Sequence, residues 1–270
     1  MLGFRQRSLH PLSRRLRDAV RGGLVRRPPR SQRVYVVTIN GRRYKRVVLP
    51  DAHHASQVAS RLREFGPAQI YPSLILERER EVWVEFVEGE RPPAGTPEVV
   101  DGVADLLAVL LRRAPRRQPL GETSFLHDVC VDLRFLGEVG VLSPDAADAL
   151  RERAVALAPE AVWVGYDCTD TILKNFVRTP EGRIRAVDVE SLGADQLLGS
   201  GAAKACLRWL GPERGRFLDR LRAAGAPDFT GYLPFVELCF LAFWTKSSFL
   251  EGKSRFVDPA LFERFRADAR

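Results

Sequence analysis

Residues 163–192 read WVGYDCTDTILKNFVRTPEGRIRAVDVESL and decide the fold that the sequence predicts. An apolar run at 162–164 leads into a polar loop, and two short strands, 175–177 and 184–187, flank a Pro-Glu-Gly turn. Short β-rich runs separated by a glycine turn are typical of a hairpin. Asp170 and Asn175 lie before the turn of the hairpin and Asp188 follows its second strand. We therefore expect these three side chains to lie close together at the open end of the hairpin.

The three side chains carry oxygen atoms of the kind that bind Mg²⁺, an ion that leaves its other positions to water and substrate phosphates. In phosphoryl transfer, one Asp handles the acceptor hydroxyl while an Asn and a second Asp hold the metal. Asp and Asn are also common turn formers, so ordinary loop chemistry is an alternative interpretation. A register in which Asp167 has the main role is a second one.

This stretch resembles the catalytic loop and metal-binding strand of the protein-kinase-like superfamily. The Asp-x-x-x-x-Asn spacing runs from Asp170 to Asn175, and the metal-binding Asp follows as Ala-Val-Asp188-Val-Glu190. The Asp-x-Glu ending is more similar to aminoglycoside and choline phosphotransferases than to protein kinases, which carry Asp-Phe-Gly there. The resemblance implies that Asp170 is the catalytic base or orients the acceptor, that Asn175 and Asp188 bind Mg²⁺, and that ATP is the donor.

The clearest local pattern in the first half is a hairpin at 33–50, where two β-rich runs flank Asn40-Gly41. A helix with one apolar face is predicted over 52–65, and strands over 74–77 and 82–87. This order resembles the small lobe of kinases. It implies that Lys45 contacts phosphate, that Glu64 is its ion-pair partner, and that a hinge at 85–89 holds an adenine edge through the backbone of Glu85 and Val87. A surface lysine among neighbouring arginines is the alternative for Lys45.

From residue 96 the pattern is helical, with helices predicted over 98–113, 125–140, 144–157, 202–210, 213–223, 232–250 and 259–266. Ser143 is a natural N-cap for the third of these. The fold class is therefore α+β, a bilobal protein-kinase-like fold with a small β-rich N-lobe and a larger helical C-lobe. The expected divisions are a basic arm at 1–30, the N-lobe at 31–90, and the C-lobe with the catalytic loop and metal-binding hairpin at 91–270.

Positive charge is concentrated at the N-terminus. Residues 1–46 hold 14 Lys or Arg and one acid, a balance of +13, which leaves 42 − 14 = 28 bases and 34 − 1 = 33 acids, or −5, for the remainder. Leu9, Leu12, Leu16 and Val20 have helical spacing among the arginines. Such an arm could dock on the body, lie on an anionic membrane surface or be a transit peptide. We do not expect nucleic acid as a partner, because no aromatic residues interleave the arginines.

Two features depart from the kinase pattern. The loop ahead of the first hairpin should be Gly-rich, but the chain offers only Gly22-Gly23, followed by Arg26 and Arg27. The first strand of the small lobe is then expected within 19–30. In addition, Cys168 stands where kinase-like enzymes usually place a His that braces the loop.

Four cysteines lack paired metal-ligand spacing and indicate buried thiols in a reducing compartment. We expect a cytoplasmic protein, with a peripheral position at the inner face of a membrane left open.

The function expected from the resemblance is Mg²⁺- and ATP-dependent transfer of a phosphoryl group to a hydroxyl of a small molecule, glycan or lipid headgroup. The alternative is a pseudokinase that binds without turnover. The helical half would line the acceptor pocket, where Glu237, Trp244 and Lys246 are candidates.

Overall fold

A computed structural model of the chain describes residues 4–8, 33–188, 192–253 and 257–266. Its contacts divide the chain into two compact units. The first comprises Met1–Pro92 and Lys174–Glu190, and the second Pro93–Leu173 and Ser191–Arg270. The first is built on an antiparallel sheet and the second is mainly helical, so the predicted α+β class is confirmed.

The first unit contains a five-stranded antiparallel sheet with the order β1-β2-β3-β5-β4. Its strands are β1 (Phe4–Ser8), β2 (Arg33–Ile39), β3 (Arg42–Val48), β4 (Leu74–Arg78) and β5 (Glu81–Glu85). The turn between β2 and β3 holds Asn40 and Gly41 at φ of 50° and 78°. Positive φ at both residues is what a type I′ turn requires, so this predicted hairpin is confirmed.

The helix predicted over 52–65 is present as α1 (Ala52–Phe65). It begins at Asp51, whose side chain accepts a hydrogen bond of 2.9 Å from the amide of His54. The helix packs on β4 and β5. The predicted apolar face is buried, and it consists of Ala55, Val58, Ala59, Leu62 and Phe65.

The first strand of the sheet was predicted in the wrong place. β1 pairs with β2 along its whole length, from Phe4 opposite Ile39 to Ser8 opposite Tyr35. Because β2 has β3 on its other side, both of its edges are taken. The strand therefore lies N-terminal to the window 19–30, and that window, the Gly22-Gly23 pair and the predicted arm helix fall outside the described residues.

The central hairpin consists of β8 (Phe176–Arg178) and β9 (Ile184–Ala186), and it belongs to the first unit. The Ala186 amide donates to the Ile70 carbonyl at 2.9 Å. On the other strand, Arg178 exchanges two backbone hydrogen bonds with Glu90, of 2.9 and 3.0 Å. Gly89 allows this approach, since a Cβ there would lie 2.2 Å from the Arg178 carbonyl oxygen. The hairpin is thus fixed to this unit from both sides.

The second unit contains seven helices in its described part and a three-stranded antiparallel sheet. The helices are α2 (Pro97–Leu111), α3 (Phe125–Glu138), α4 (Pro144–Leu157), α5 (Ser200–Arg208), α6 (Arg214–Ala223), α7 (Leu233–Leu250) and α8 (Glu263–Arg266). The sheet has the order β10-β7-β6, from β6 (Arg116–Pro119), β7 (Ala161–Cys168) and β10 (Leu192–Leu197). The pattern predicted neither β6 nor β10, because neither segment alternates apolar and polar residues as a half-buried strand does.

The segment Thr230–Leu250, which contains α7, is long and apolar enough to cross a membrane by length and composition. More than half of its apolar window is buried inside the protein, as in the core helix of a globular unit.

Ser143 caps α4 as predicted, accepting a hydrogen bond of 3.2 Å from the Ala146 amide.

Candidate functional site

Two of the three predicted oxygen-bearing residues meet in the first unit. Asn175 ends a short 3₁₀ turn just before β8, and Asp188 comes two residues after β9. The Asn175 side-chain amide donates to Asp188 Oδ2 at 3.2 Å, and the Val187 amide donates to the Asn175 carbonyl at 2.8 Å. The hairpin therefore brings its two ends together through both backbone and side chain. Glu190, the second acid of the motif, lies outside the described residues.

Lys45 reaches the same end of the hairpin. It lies on β3, is partly buried, and its Nζ donates a hydrogen bond to the Val187 carbonyl, one residue before Asp188. A lysine that was only a surface residue of the strand would extend into water. This contact supports the interpretation of Lys45 as a site residue over the alternative.

The other three predicted nucleotide contacts have different surroundings. Glu64 lies in the last turn of α1 and is half-buried, and its pairing with Lys45 stays a prediction. Glu85 ends β5, and its carboxylate forms an ion pair with Arg185 of β9. Val87 follows two residues later, between Phe86 and Glu88. Adenine binding by the backbone of Glu85 and Val87 stays a prediction.

Two arginines that the sequence analysis missed hold the hinge segment. Arg185 pairs with Glu85 and also donates to the Tyr71 carbonyl at 2.6 Å. Arg43 on β3 pairs with Glu88, and its guanidinium lies 4.4 Å from the ring centroid of Phe86. In a chain with so many arginines, no pattern in the sequence distinguishes these two from the others.

In the second unit, the loop after β7 is anchored to the start of α5. Asp167 is fully buried, and its Oδ2 accepts hydrogen bonds from the amides of Gly199, at 2.9 Å, and Gly201, at 3.2 Å. Burial raises the pKa of Asp167 to about 6, against the lowering effect of the amides that donate to it. A carboxylate enclosed in this way anchors the loop, and the choice between Asp167 and Asp170 for the main role stays a prediction.

Two further contacts hold the loop in place of the missing His. Thr171 is fully buried and its hydroxyl donates to the Gly201 carbonyl, while the Trp209 indole donates to the Thr171 carbonyl at 2.8 Å. Cys168 itself is buried at the end of β7, opposite Leu192 of β10. The loop therefore has its own bracing through α5, which explains how a Cys is accommodated at position 168.

Asp170 lies in this braced loop and is paired with a lysine that the sequence analysis missed. Lys204 of α5 donates to Asp170 Oδ1, and only 10% of the lysine side chain is exposed, against 29% of the Asp170 side chain. The available sequence signal was a lysine among small residues, Gly201, Ala202, Ala203 and Ala205, and the structure shows that these residues are buried. Since Asp170 belongs to the second unit and Asn175 and Asp188 to the first, convergence of all three stays a prediction.

The donor set fits Mg²⁺ bound together with a nucleotide. In the described ranges, no group of three or more His, Cys, Asp or Glu side chains could hold a metal ion by itself. Asn175 and Asp188 provide one amide and one carboxylate at a single point. Mg²⁺ is commonly held by one or two carboxylates plus substrate phosphates, and this pair matches that requirement.

Searches against family models and curated proteins found no match. Solved structures do match. The chain aligns with a thermostable mutant of aminoglycoside phosphotransferase APH(4)-Ia at 14% identity and a TM-score of 0.65, over 98% of this chain and 94% of that one. It aligns with choline kinase LicA from Streptococcus pneumoniae at 11% identity and a TM-score of 0.60, over 98% and 92%. A ternary complex of the APH(4)-Ia enzyme with ADP and hygromycin B aligns at 15% identity and a TM-score of 0.61, over 89% and 90%. At these identities the likeness establishes the fold, and the chain has the protein-kinase-like fold of these small-molecule kinases.

Proposed function

We propose that this protein is an ATP- and Mg²⁺-dependent phosphotransferase that acts on a hydroxyl of a small molecule, a glycan or a lipid headgroup. The observation that carries the proposal is the contact between Lys45 and the Val187 carbonyl, next to the Asn175–Asp188 pair. A lysine for phosphate oxygens and a carboxylate–amide pair for the metal thus lie at one edge of the first unit. Phosphoryl transfer needs this combination, because its catalysis is mostly positioning and charge stabilisation.

In the proposed reaction, the acceptor hydroxyl oxygen forms a bond to the γ-phosphorus of ATP. The bond from that phosphorus to the bridging oxygen breaks, and its electron pair leaves with ADP. The hydroxyl proton passes to the Asp170 carboxylate, which Lys204 holds in place. Lys45 orients the phosphates, and Asn175 and Asp188 would hold the metal. When bound, Mg²⁺ neutralises charge on the phosphate oxygens during transfer.

The hinge contacts support a place for the nucleotide base. Arg185 links the metal-binding hairpin to Glu85, and Arg43 lies over the Phe86 ring and pairs with Glu88. Both sides of Val87 are therefore held by side chains of the same unit. We propose that the backbone of Glu85 and Val87 binds the adenine edge and that Glu64 pairs with Lys45 in the nucleotide complex.

The direct test is calorimetric titration of the full chain with ATP, with Mg²⁺ and then with EDTA. We expect binding that needs the metal and that weakens when Lys45 is replaced by Met. Lys174, an exposed lysine beside the site in sequence, is the matched control, since Lys174→Met should leave the affinity unchanged. Equal affinity with and without Mg²⁺ would contradict the proposal. Metal-dependent binding without any ADP formation would favour the pseudokinase alternative.

We also propose that the basic arm contacts the inner, anionic face of a membrane from the cytoplasm. The support is its charge, nine Arg against one Asp in residues 1–30, because each Lys or Arg near such a surface contributes about 1 kcal/mol, reduced by salt. Deleting residues 1–30 is a poor test, since it would remove β1 from the sheet. Replacing Arg14, Arg15, Arg17 and Arg21 by Gln should abolish co-sedimentation with phosphatidylserine vesicles at low salt. Unchanged co-sedimentation would contradict membrane contact by the arm.

A further inference from the structure

Two cations of one helix and two aromatic rings of another form a row in the second unit, and this row begins at Asp170. Lys204 and Arg208 are one turn apart on α5, and Phe240 and Trp244 are one turn apart on α7. Lys204 Nζ lies 5.5 Å from the Phe240 ring centroid, and the Arg208 guanidinium lies 4.8 Å from that of Trp244. The two rings are stacked, with centroids 6.4 Å apart and an interplanar angle of 16°.

Lys204, at the inner end of this row, contacts the Asp170 carboxylate, and Arg208, at the outer end, is exposed to solvent. Lys204 is nearly buried and is committed to Asp170. Arg208 is exposed and contacts no carboxylate of the described residues. A guanidinium held over an aromatic ring by cation–π attraction still has N–H donors available for a carboxylate or phosphate.

Two buried acids of the neighbouring helices are already paired with other cations. Glu237 of α7 is buried between Arg214 and Arg264, and Asp132 of α3 pairs with Lys246 of α7. These two carboxylates are already matched with cations. Because Asp170 offsets the charge of the buried Lys204, the positive charge that an acceptor meets along α5 is that of the exposed Arg208.

We infer that the acceptor is an anionic hydroxyl compound, a sugar or cyclitol ring that carries a phosphate or carboxylate group bound by Arg208. This inference rests on the proposed phosphotransferase function and adds the class of its acceptor. One turn of α5 separates Arg208 from Lys204 by about 6 Å along the axis, a distance that one such ring bridges. The ring then presents a hydroxyl to Asp170 while its anionic group binds Arg208. Polycationic acceptors are disfavoured because they would meet like charges.

The test measures ADP release from Mg·ATP by the full chain with acceptors of three charge classes. The anionic probes are glucuronic acid, glucose 6-phosphate and myo-inositol 1-phosphate, with phosphatidylinositol in mixed micelles as the lipid form of the same headgroup. The neutral probes are glucose and myo-inositol, and the cationic probes are hygromycin B and choline. We expect stimulation by the anionic class, and the comparison of myo-inositol 1-phosphate with phosphatidylinositol distinguishes a soluble acceptor from a lipid one.

Two variants show whether Arg208 is responsible. Arg208→Gln should lower kcat/KM for the anionic acceptor roughly tenfold, the loss of one charge-assisted contact, without changing Mg·ATP affinity. Arg208→Glu should lower it further. Arg222→Gln is the matched control, since Arg222 pairs with Asp219 within α6 and should not matter. The inference is wrong, while the phosphotransferase proposal stands, if the cationic class stimulates ADP release or if no anionic probe does so. The same holds if the anionic acceptor stimulates ADP release equally in the wild type and in Arg208→Gln. If Mg·ATP does not bind at all, both are wrong.

Discussion

The Asn175 side-chain amide donates to Asp188 Oδ2 at 3.2 Å, and the same two ends of the hairpin are joined by the backbone bond from Val187 to Asn175. The metal-binding candidates are therefore positioned by the local structure of one hairpin, before any ligand is bound. Little reorganisation of these two side chains is needed for a metal to be held by both.

Replacing Asp188 by Asn should remove Mg²⁺-dependent ATP binding and preserve the fold. The amide oxygen of the new side chain can still accept the hydrogen bond from Asn175, but the negative charge is gone. We expect a loss in Mg·ATP affinity of roughly two orders of magnitude, about 3 kcal/mol, with little change in the apo melting temperature. Calorimetry and thermal unfolding measure the two quantities. Wild-type affinity in the variant would show that Asp188 is not a metal ligand.

Lys204→Met should reduce turnover much more than nucleotide affinity. The substitution removes the cation that holds Asp170, and a displaced catalytic group costs roughly 10²-fold in rate. Lys204→Arg keeps the charge and should restore part of the loss. Steady-state kcat and the Kd for Mg·ATP are the measurements. A normal kcat in Lys204→Met would mean that the pair has no part in positioning Asp170.

Gly201→Ala should destabilise the second unit. A Cβ at this position would lie 2.4 Å from the Cys168 carbonyl oxygen and 2.6 Å from Asp167 Oδ1, so the loop and the start of α5 must separate. We expect a loss of about 1–3 kcal/mol in the free energy of unfolding by urea. Gly215→Ala is the control, because nothing lies within 4 Å of its added Cβ, and alanine there should be neutral or stabilising by up to about 1 kcal/mol. Equal effects of the two substitutions would contradict this close packing.

The raised pKa of Asp167 predicts a pH-dependent contribution to stability. Its pKa rises on folding from 3.8 to about 6, so the folded state holds the proton more tightly. The contribution is complete below pH 3.8 and is lost as the pH rises through about 6. Compared with Asp167→Asn, which does not titrate, the wild type should lose relative stability between about pH 4 and about pH 7 in urea unfolding. A difference that stays constant or moves in the opposite direction would contradict the assignment.

The local elements were largely predictable from the sequence. The Asn40-Gly41 turn, α1 and the hairpin around 179–183 each follow from short-range patterns, and all three are present. β1 and β10 were not predicted, since their places depend on pairing with strands 24 or more residues away in the chain. Long-range pairing of this kind leaves no periodic signal in the strand itself.

The candidate site was predictable as far as its motif extends. The predicted hairpin, together with the spacing of the polar residues, singled out Asp170, Asn175 and Asp188, and the fold brings the last two together. The residues that hold them, Lys204 for Asp170 and Arg185 for the hinge, are cations in a chain with 42 of them. Only the three-dimensional contact separates such a residue from an exposed one.

The most direct test of the phosphotransferase account is ADP formation from Mg·ATP by the wild type and by Asp170→Asn, measured by ³¹P NMR with the anionic acceptor panel. The account predicts a new phosphoester signal that grows with ADP in the wild type. In Asp170→Asn this signal should fall by about 10²- to 10⁴-fold, the usual contribution of a general base, at unchanged Mg·ATP affinity. An equal rate of phosphoester formation in the two proteins would contradict the account.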